Sequence, residues 1–377
     1  MTAKVENGLI IHRQGAQDTI YGDRLNIEWL ITNACNYDCS YCFDQGDKRP
    51  APGNSPVWDD LKKAADRLIA LNRSYYYFHF VGGEPTIHPD FSRLLQYLGS
   101  ALSDRLSLTI FTNGSRGGDY FSRLLPPLMK KDGTPAVQIY FSIHPDRARL
   151  PDIIDLLEKT TPLAFVRGLL MFKLEQRQYV ERIHEELARL RSEHLFDLSI
   201  SQLLAPPNFT GLDCRYTERD LAWIGQCADR FSEAARNSDP SRSLLPRPPR
   251  TADFWDVRTP DGQRVIHEYP GGRADVPPPI ARSEGWYSFK DLWCALGSHC
   301  LVITIGGDCY GAQCSAAREA KRGNIFRSDP YQDGSFPKLI QCPLDFCPCA
   351  INQAIPKFSD GREARAFLEA RRSRRTE

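Results

Sequence analysis

Twelve cysteines stand in this chain of 377 residues, and three of them fall in one short segment, Asn33-Ala34-Cys35-Asn36-Tyr37-Asp38-Cys39-Ser40-Tyr41-Cys42-Phe43. Spacings of three and then two residues let a tight loop point three thiolates at one small inorganic body. Thiolate ligation of this kind is the general mode of iron–sulfur binding. Four irons need four ligands, so a three-cysteine loop leaves one iron open to an exogenous ligand. Two other readings fit the same spacing: a structural zinc site completed by a remote fourth ligand, and a plain electron-transfer cluster. Seven further cysteines crowd between Cys294 and Cys349. There a cysteine, a turn at Gly306-Gly307, further cysteines and the closing group Cys342-Pro343-Leu344-Asp345-Phe346-Cys347-Pro348-Cys349 suit a second cluster site or, again, structural zinc.

The elements that must position the first loop are legible as alternating strands and helices. Leu25 to Thr32 reads as a buried strand, and Val57 to Leu71 as a helix with Leu61, Ala65, Leu68 and Leu71 on one face. Further strands are expected at Tyr75 to Val81, Leu106 to Thr112, Val137 to Ile143, Ala164 to Phe172 and Leu198 to Leu203. Helices fall between them near Phe91 to Leu102, Tyr120 to Met129 and Leu150 to Glu158, and then where Val180, Ile183, Leu187 and Leu190 share a face. Six β/α units predict an α/β fold, a partial (β/α)6 barrel of parallel strands or a doubly wound sheet, with its chemistry at the C-terminal strand ends. The three-cysteine loop follows the first strand, which argues for a catalytic mouth over a remote metal site.

Other strand ends carry polar motifs that would converge on the same mouth. The second strand runs into Gly82-Gly83-Glu84-Pro85, where paired glycines permit close backbone approach and Glu84 places an acceptor beside it. Thr112-Asn113-Gly114 follows the third strand, where Asn113 either faces the mouth or caps the turn. Phe141-Ser142-Ile143-His144 follows the fourth, and His144 before Pro145 either faces substrate or caps the next turn.

Taken together, the cysteine spacing with Tyr41 before and Phe43 after the last cysteine, and the Gly-Gly-Glu-Pro segment downstream, resemble the signature of the radical S-adenosylmethionine (SAM) superfamily. The resemblance implies a 4Fe–4S cluster on Cys35, Cys39 and Cys42, whose open iron is chelated by SAM. One electron then cleaves SAM, and the 5′-deoxyadenosyl radical takes a hydrogen atom from substrate. It also implies cofactor contacts from Tyr41, Phe43, Gly82, Gly83, Glu84, Asn113 and Ser142, with Gly82 to Glu84 at the SAM amino group and Ser142 at the ribose. No clear counterpart of the family's adenine-binding motif follows strand five.

The C-terminal region is similar to the SPASM and Twitch extensions of that superfamily, including the element Gly323-Asn324-Ile325. This implies an auxiliary 4Fe–4S cluster, one rather than two because the middle cysteine block is thinner than a full SPASM motif. Cys294 and Cys314 would form its first ligand pair, completed by two of Cys342, Cys347 and Cys349. Cys300 and Cys309 are left over, each a buried apolar-like thiol, a ligand of a second cluster or a catalytic hydrogen donor, in that order, and Cys214 and Cys227 read as core or surface thiols.

The expected organisation is an N-terminal extension over 1–24, the barrel over 25–205, a helix and Pro-rich cover over 206–290, and the auxiliary-cluster domain, a β-hairpin plus helix, over 291–377. With 48 basic and 47 acidic residues, no general field draws the chain to nucleic acid. The absence of an apolar run of spanning length or a secretory signal excludes a helical membrane anchor and points to the cytoplasm, where cysteines stay reduced. The expected partners are an electron donor such as flavodoxin or ferredoxin, a peptide or small-metabolite substrate and, for a peptide, a separate recognition protein. The non-enzymatic alternative is an iron–sulfur carrier or zinc scaffold, which would have no use for Gly82, Gly83 and Glu84.

Overall fold

The computed structural model describes residues 5–6, 9–10, 13–16, 23–42, 55–191, 194, 196–203, 215–237, 265–269, 272–276, 289–319, 323–334, 336–344 and 355–373. Strands β1 (Val5–Glu6), β2 (Leu9–Ile10) and β3 (Arg13–Ala16) precede β4 (Arg24–Thr32), β5 (Tyr75–Gly82), β6 (Leu106–Thr112), β7 (Val137–Ile143), β8 (Phe165–Phe172) and β9 (Asp197–Gln202). Then come β10 (Val265–Tyr269), β11 (Gly272–Val276), β12 (Trp293–Leu296), β13 (Cys300–Ile303), β14 (Cys309–Tyr310), β15 (Lys338–Gln341) and β16 (Lys357–Phe358). The helices are α1 (Trp58–Ala70), α2 (Phe91–Leu102), α3 (Gly117–Leu124), α4 (Leu150–Thr160), α5 (Arg177–Leu190), α6 (Glu218–Asn237), α7 (Ser315–Glu319) and α8 (Gly361–Ser373). One eight-stranded sheet has the order β14-β13-β4-β5-β6-β7-β8-β9, so the six strands expected from the sequence lie side by side in chain order. That is the strand order of a partial (β/α)6 barrel.

The chain divides into two compact units. The unit formed by Ile31–Ser55 and His79–Arg247 carries β6, β7, β8 and β9, which pair in parallel. Parallel strands buried on both faces are mostly apolar, and β7 fits, with six of its seven residues buried and the one buried polar side chain, Gln138, bonded to the Tyr140 hydroxyl. Helix α2 buries Phe91, Leu94, Leu95, Leu98 and Leu102, one stripe at helical spacing. Helix α5 buries the expected Val180, Ile183, Leu187 and Leu190, with His184 on the same face. Helix α3 is shorter than its apolar pattern predicts, because Pro126 and Pro127 cannot continue it and form a 3-10 turn instead. At the start of α6, Thr217 and Asp220 cap each other: Thr217 N donates to the Asp220 carboxylate at 2.8 Å, and Asp220 N to the Thr217 hydroxyl at 3.3 Å.

The second unit comprises Met1–Leu30, Pro56–Phe78 and Pro248–Glu377. It holds a six-stranded sheet of order β11-β10-β3-β16-β12-β15. Three of these strands correct the sequence reading. The first strand of the chain is not at Leu25, since β3 lies within the expected N-terminal extension and pairs antiparallel with β10 and β16. Likewise β10 and β11 pair antiparallel within the stretch read as an irregular cover. The apolar run around Val265 and the Pro270-Gly271-Gly272 turn signal were present, but surrounding prolines masked them. The hairpin expected at Gly306-Gly307 is the antiparallel pair β13–β14, and β13 lies parallel to β4. Among the described residues no helix is long and apolar enough to cross a membrane.

Two buried polar groups of this unit generate tests. The Tyr76 hydroxyl, fully buried, accepts from Arg73 N at 2.8 Å and donates to the Leu68 carbonyl at 2.8 Å, tying α1 to β5. Tyr76→Phe should cost about 1–3 kcal/mol, read as a lower urea midpoint. Glu28, on β4, accepts from Gln313, yet burial pushes its carboxyl up to about 7. Between about pH 4.5 and 7 the folded chain therefore holds a proton that the unfolded chain has released, so stability falls as pH rises through that window. Glu28→Gln should flatten this slope in urea titrations at several pH values.

Candidate active site

The first site grows from the end of β4. Thr32 turns its hydroxyl onto Ala34 N at 3.0 Å, fixing the exit of the strand immediately before Cys35. The end of β5 is fastened to this exit by two backbone bonds, Gly83 N to the Thr32 carbonyl and Glu84 N to the Ala34 carbonyl, both 2.8 Å. Gly82 has φ +125°, and a Cβ there would stand 2.2 Å from the Thr32 oxygen. At Gly83 a Cβ would stand 2.1 Å from the Ala34 oxygen. The close approach that the sequence assigned to a ligand is thus already used by the backbone leading into the cysteine loop.

Glu84 is 1% exposed and gathers three strand ends. One carboxylate oxygen accepts from Thr86 N at 3.1 Å, the Thr86 hydroxyl at 2.5 Å and the Thr112 hydroxyl at 2.8 Å. The other accepts from Asn113 N at 2.6 Å. Burial pushes this carboxyl up, and these donors, led by Asn113 N–H, pull against it. Asn113 caps its turn and also reaches the cysteine loop. Its carbonyl oxygen accepts from Ser115 N at 2.9 Å, closing the turn, while its amide donates to Asn36 at 3.0 Å and points toward the Cys35 sulfur at 3.9 Å.

In the loop, Cys35, Cys39 and Cys42 are half-buried thiols that form no disulfide. Tyr37 N donates to the Cys35 sulfur at 3.4 Å, and Cys42 N to the Cys39 carbonyl at 3.1 Å. His144 closes the loop from β7. Its Nδ1 lies 2.9 Å from the Tyr41 hydroxyl and 3.4 Å from the Cys39 sulfur. Its ring stacks on Tyr41 at 5.8 Å and meets Tyr37 edge-on at 5.7 Å. Burial, then the charges of the neighbouring thiols, push the Tyr41 phenol up, so it stays neutral. His144 also accepts from Arg147 N and Ala148 N through its carbonyl, so it caps a turn and engages the loop at once. Ser142 is half-buried on β7, in register with Leu169 of β8. Phe43 lies outside the described residues.

Three half-exposed thiols at a strand end, with an amide N–H donating to one sulfur, fit thiolate ligands of a cluster. Among the described residues no three His, Cys, Asp or Glu side chains converge on a single metal ion. A 4Fe–4S cluster gives each thiolate its own iron and does not require that convergence.

The second cysteine group lies in the other unit and is described by itself. Cys294 on β12 and Cys300 at the start of β13 share one buried core with Leu296, Ala312, Ala317 and Ile355, and Cys314 packs against it. Cys342 is near enough for its charge to act on Cys314. Burial pushes the Cys314 thiol up, Ala317 N–H and the Lys357 ammonium pull it down. The structure thereby brings Cys300, unassigned from sequence, among the expected ligands Cys294 and Cys314. Cys309 goes elsewhere: its fully buried thiol donates to the Gly307 carbonyl at 3.5 Å and burial pushes it up to about 12, so it behaves as core filling. Asn324 clamps the hairpin turn, donating to the Gly306 carbonyl at 2.6 Å and to Asp308 at 3.1 Å. Cys227 is a buried thiol of α6, whereas Cys214, Cys347 and Cys349 lie outside the described residues.

Comparison with known proteins places these features. Residues 29–159 match the family model described as the Radical SAM superfamily. The chain is 23% identical over 309 residues to the mycofactocin maturase MftC of Mycobacterium tuberculosis, spanning 81% of this chain and 69% of that protein. It is 33% identical over 241 residues to MftC of Mycobacterium ulcerans, spanning 64% of this chain and 56% of that one. The crystal structure of Streptococcus suis SuiB bound to precursor peptide SuiA shares its fold with a TM-score of 0.50 at 14% identity, covering 83% of this chain and 65% of SuiB. This chain therefore spans 56% to 69% of the length of these relatives. The family match takes in the loop that bears the three thiols and the strand ends that Glu84 ties together, and residues 29–159 form a radical SAM domain, of a superfamily whose enzymes use a 4Fe–4S cluster and S-adenosylmethionine.

Proposed function

We propose that this enzyme matures a peptide, abstracting hydrogen from an unactivated carbon of a ribosomally made precursor, with an auxiliary 4Fe–4S cluster in its C-terminal region. The observation that carries this reading is the extent of the likeness to mycofactocin maturase: it runs over 81% of the chain, far beyond the 29–159 segment common to the superfamily. That SuiB has been seen with a precursor peptide on a shared fold points the same way.

In this reading Cys35, Cys39 and Cys42 hold the SAM-binding cluster, which when bound and reduced supplies the electron for cleavage of SAM. The remaining contributions are those of the chain. Gly82 and Gly83 keep the end of β5 against the cysteine loop, and Glu84, held by four donors, presents a carboxylate of fixed orientation to the amino group of SAM. Ser142 faces the ribose. Tyr41, Phe43 and Asn113 complete the cofactor contacts, Tyr41 held in place by His144. Cys294 and Cys314, with two of Cys342, Cys347 and Cys349, hold the auxiliary cluster, and a flavodoxin or ferredoxin supplies electrons.

Three measurements test this. Anaerobically reconstituted enzyme, reduced with SAM and a candidate precursor peptide, should form 5′-deoxyadenosine and change the mass of the peptide. Turnover that ignores every peptide and responds to a small metabolite would sink the peptide reading, while leaving the radical SAM chemistry intact. Glu84→Gln should keep its iron and weaken SAM binding roughly 10- to 100-fold, as loss of a charged hydrogen-bond acceptor does. Gly83→Ala should act on the loop instead: its Cβ would displace the Ala34 carbonyl next to Cys35, lowering affinity for iron on the order of tenfold in reconstitution assays.

A further inference from the structure

Lys357, on the short strand β16, is only 1% exposed and ranks among the largest fully buried side chains. Lysine is almost never buried this deeply, because its ammonium gives up its hydration. Here the ammonium donates to the Ile355 carbonyl at 2.7 Å and lies 4.5 Å from the centroid of the Phe289 ring. Ile355 belongs to the same core as Cys294 and Cys300, the core against which Cys314 packs. Cys294 is the register partner of Lys357 across β12 and β16. The positive charge also acts on the Cys314 thiol, opposing the upward push of burial there. A buried cation is therefore carried by the strand paired in register with Cys294, and it is tied to the backbone of Ile355 in the core against which Cys314 packs.

Four thiolates around a 4Fe–4S core leave a net negative charge, one unit larger in the reduced state. A fixed positive charge in a low-dielectric setting stabilises the more anionic state. We propose that Lys357 is the buried counter-charge of the auxiliary cluster, and that it holds the reduction potential of that cluster up. The inference rests on the reading of Cys294 and Cys314 as cluster ligands. It makes Lys357 a positioning and tuning residue that touches no substrate.

The test uses the full chain carrying Cys35→Ala, Cys39→Ala and Cys42→Ala, reconstituted anaerobically with iron and sulfide so that only the auxiliary cluster is read. Its reduction is followed by electron paramagnetic resonance against a series of redox buffers, with Lys357 intact and as Lys357→Met, Lys357→Gln and Lys357→Arg. Methionine matches the length of lysine without charge, and glutamine retains a donor for the Ile355 carbonyl. Both should lower the ratio of reduced to oxidised cluster about tenfold at a fixed poise, equivalent to about 59 mV for one electron. Arginine should stay near the parent. Loss of iron in the Met and Gln chains but not in the Arg chain would also support the proposal, since the charge would then be needed to assemble the anionic site. Unchanged potentials in Met and Gln, with or without a lower urea midpoint, would overturn it and leave Lys357 a structural residue. Failure of the Lys357-intact chain to take up any iron would instead remove the auxiliary-cluster reading, and this inference with it.

Discussion

The end of β5 can touch the end of β4 only because neither Gly82 nor Gly83 has a side chain. A single Cβ at either position would intrude on a carbonyl oxygen at little more than 2 Å, with no flexible side-chain end to yield. From that contact the rest of the first site follows. The two backbone bonds it permits set the direction in which the chain enters the cysteine loop, and they put Glu84 where four donors from its own turn and from β6 can reach it. A carboxylate this deeply buried would be costly without them. Burial and hydrogen bonding thus work as one device, in which the glycines allow the approach and the donors make the buried acid tolerable.

The C-terminal cysteines are organised by a different means. A short hairpin, β13–β14, is locked at its turn by Asn324, which bonds both to the backbone of Gly306 and to Asp308. Strand β12, flanked by β15 and β16, supplies Cys294 and the apolar floor. Thiols that look equivalent in sequence are separated by this packing. Cys300 joins Cys294 and Cys314 in one core, while Cys309 is sealed into the hairpin with a thiol held too high to ionise. Proximity in sequence did not distinguish them, whereas the side of the hairpin on which each falls does.

Much of this was legible because the signals are local. Strands β4 to β8 announce themselves as largely apolar runs, β9 as an alternating one, and α2 and α5 as stripes at helical spacing, with the buried residues where the pattern put them. The cysteine loop and the Gly-Gly-Glu-Pro turn could be identified because spacing alone restricts what such residues can hold. Where the sequence misled, the deciding interactions were remote. Strand β3 has no independent signal and becomes a strand through its pairing with β10 and β16. The role of Gly82 and Gly83 depends on a carbonyl some fifty residues away, which a turn motif cannot reveal. Lys357 reads as an ordinary surface lysine until the sheet buries it. His144 offered only the signal of a histidine before proline, with nothing in its neighbourhood naming Tyr41 or Cys39 as its contacts.

The pairing of β3 has a consequence for how the protein comes into being. Gln14 lies in register with Lys357, so two of the strands joined in this sheet are among the first and the last of the described strands to leave the ribosome. Until β10 and β16 exist, β3 has no partner in its sheet, and the core holding Cys294 and Cys300 cannot close. Contacts of such long sequence separation form slowly, and an unpaired strand is open to wrong associations meanwhile. Biogenesis therefore has a built-in order. The parallel strands β6 to β9 can pair once Gln202 has been made, whereas the six-stranded sheet cannot be complete before Lys357–Phe358 has been made.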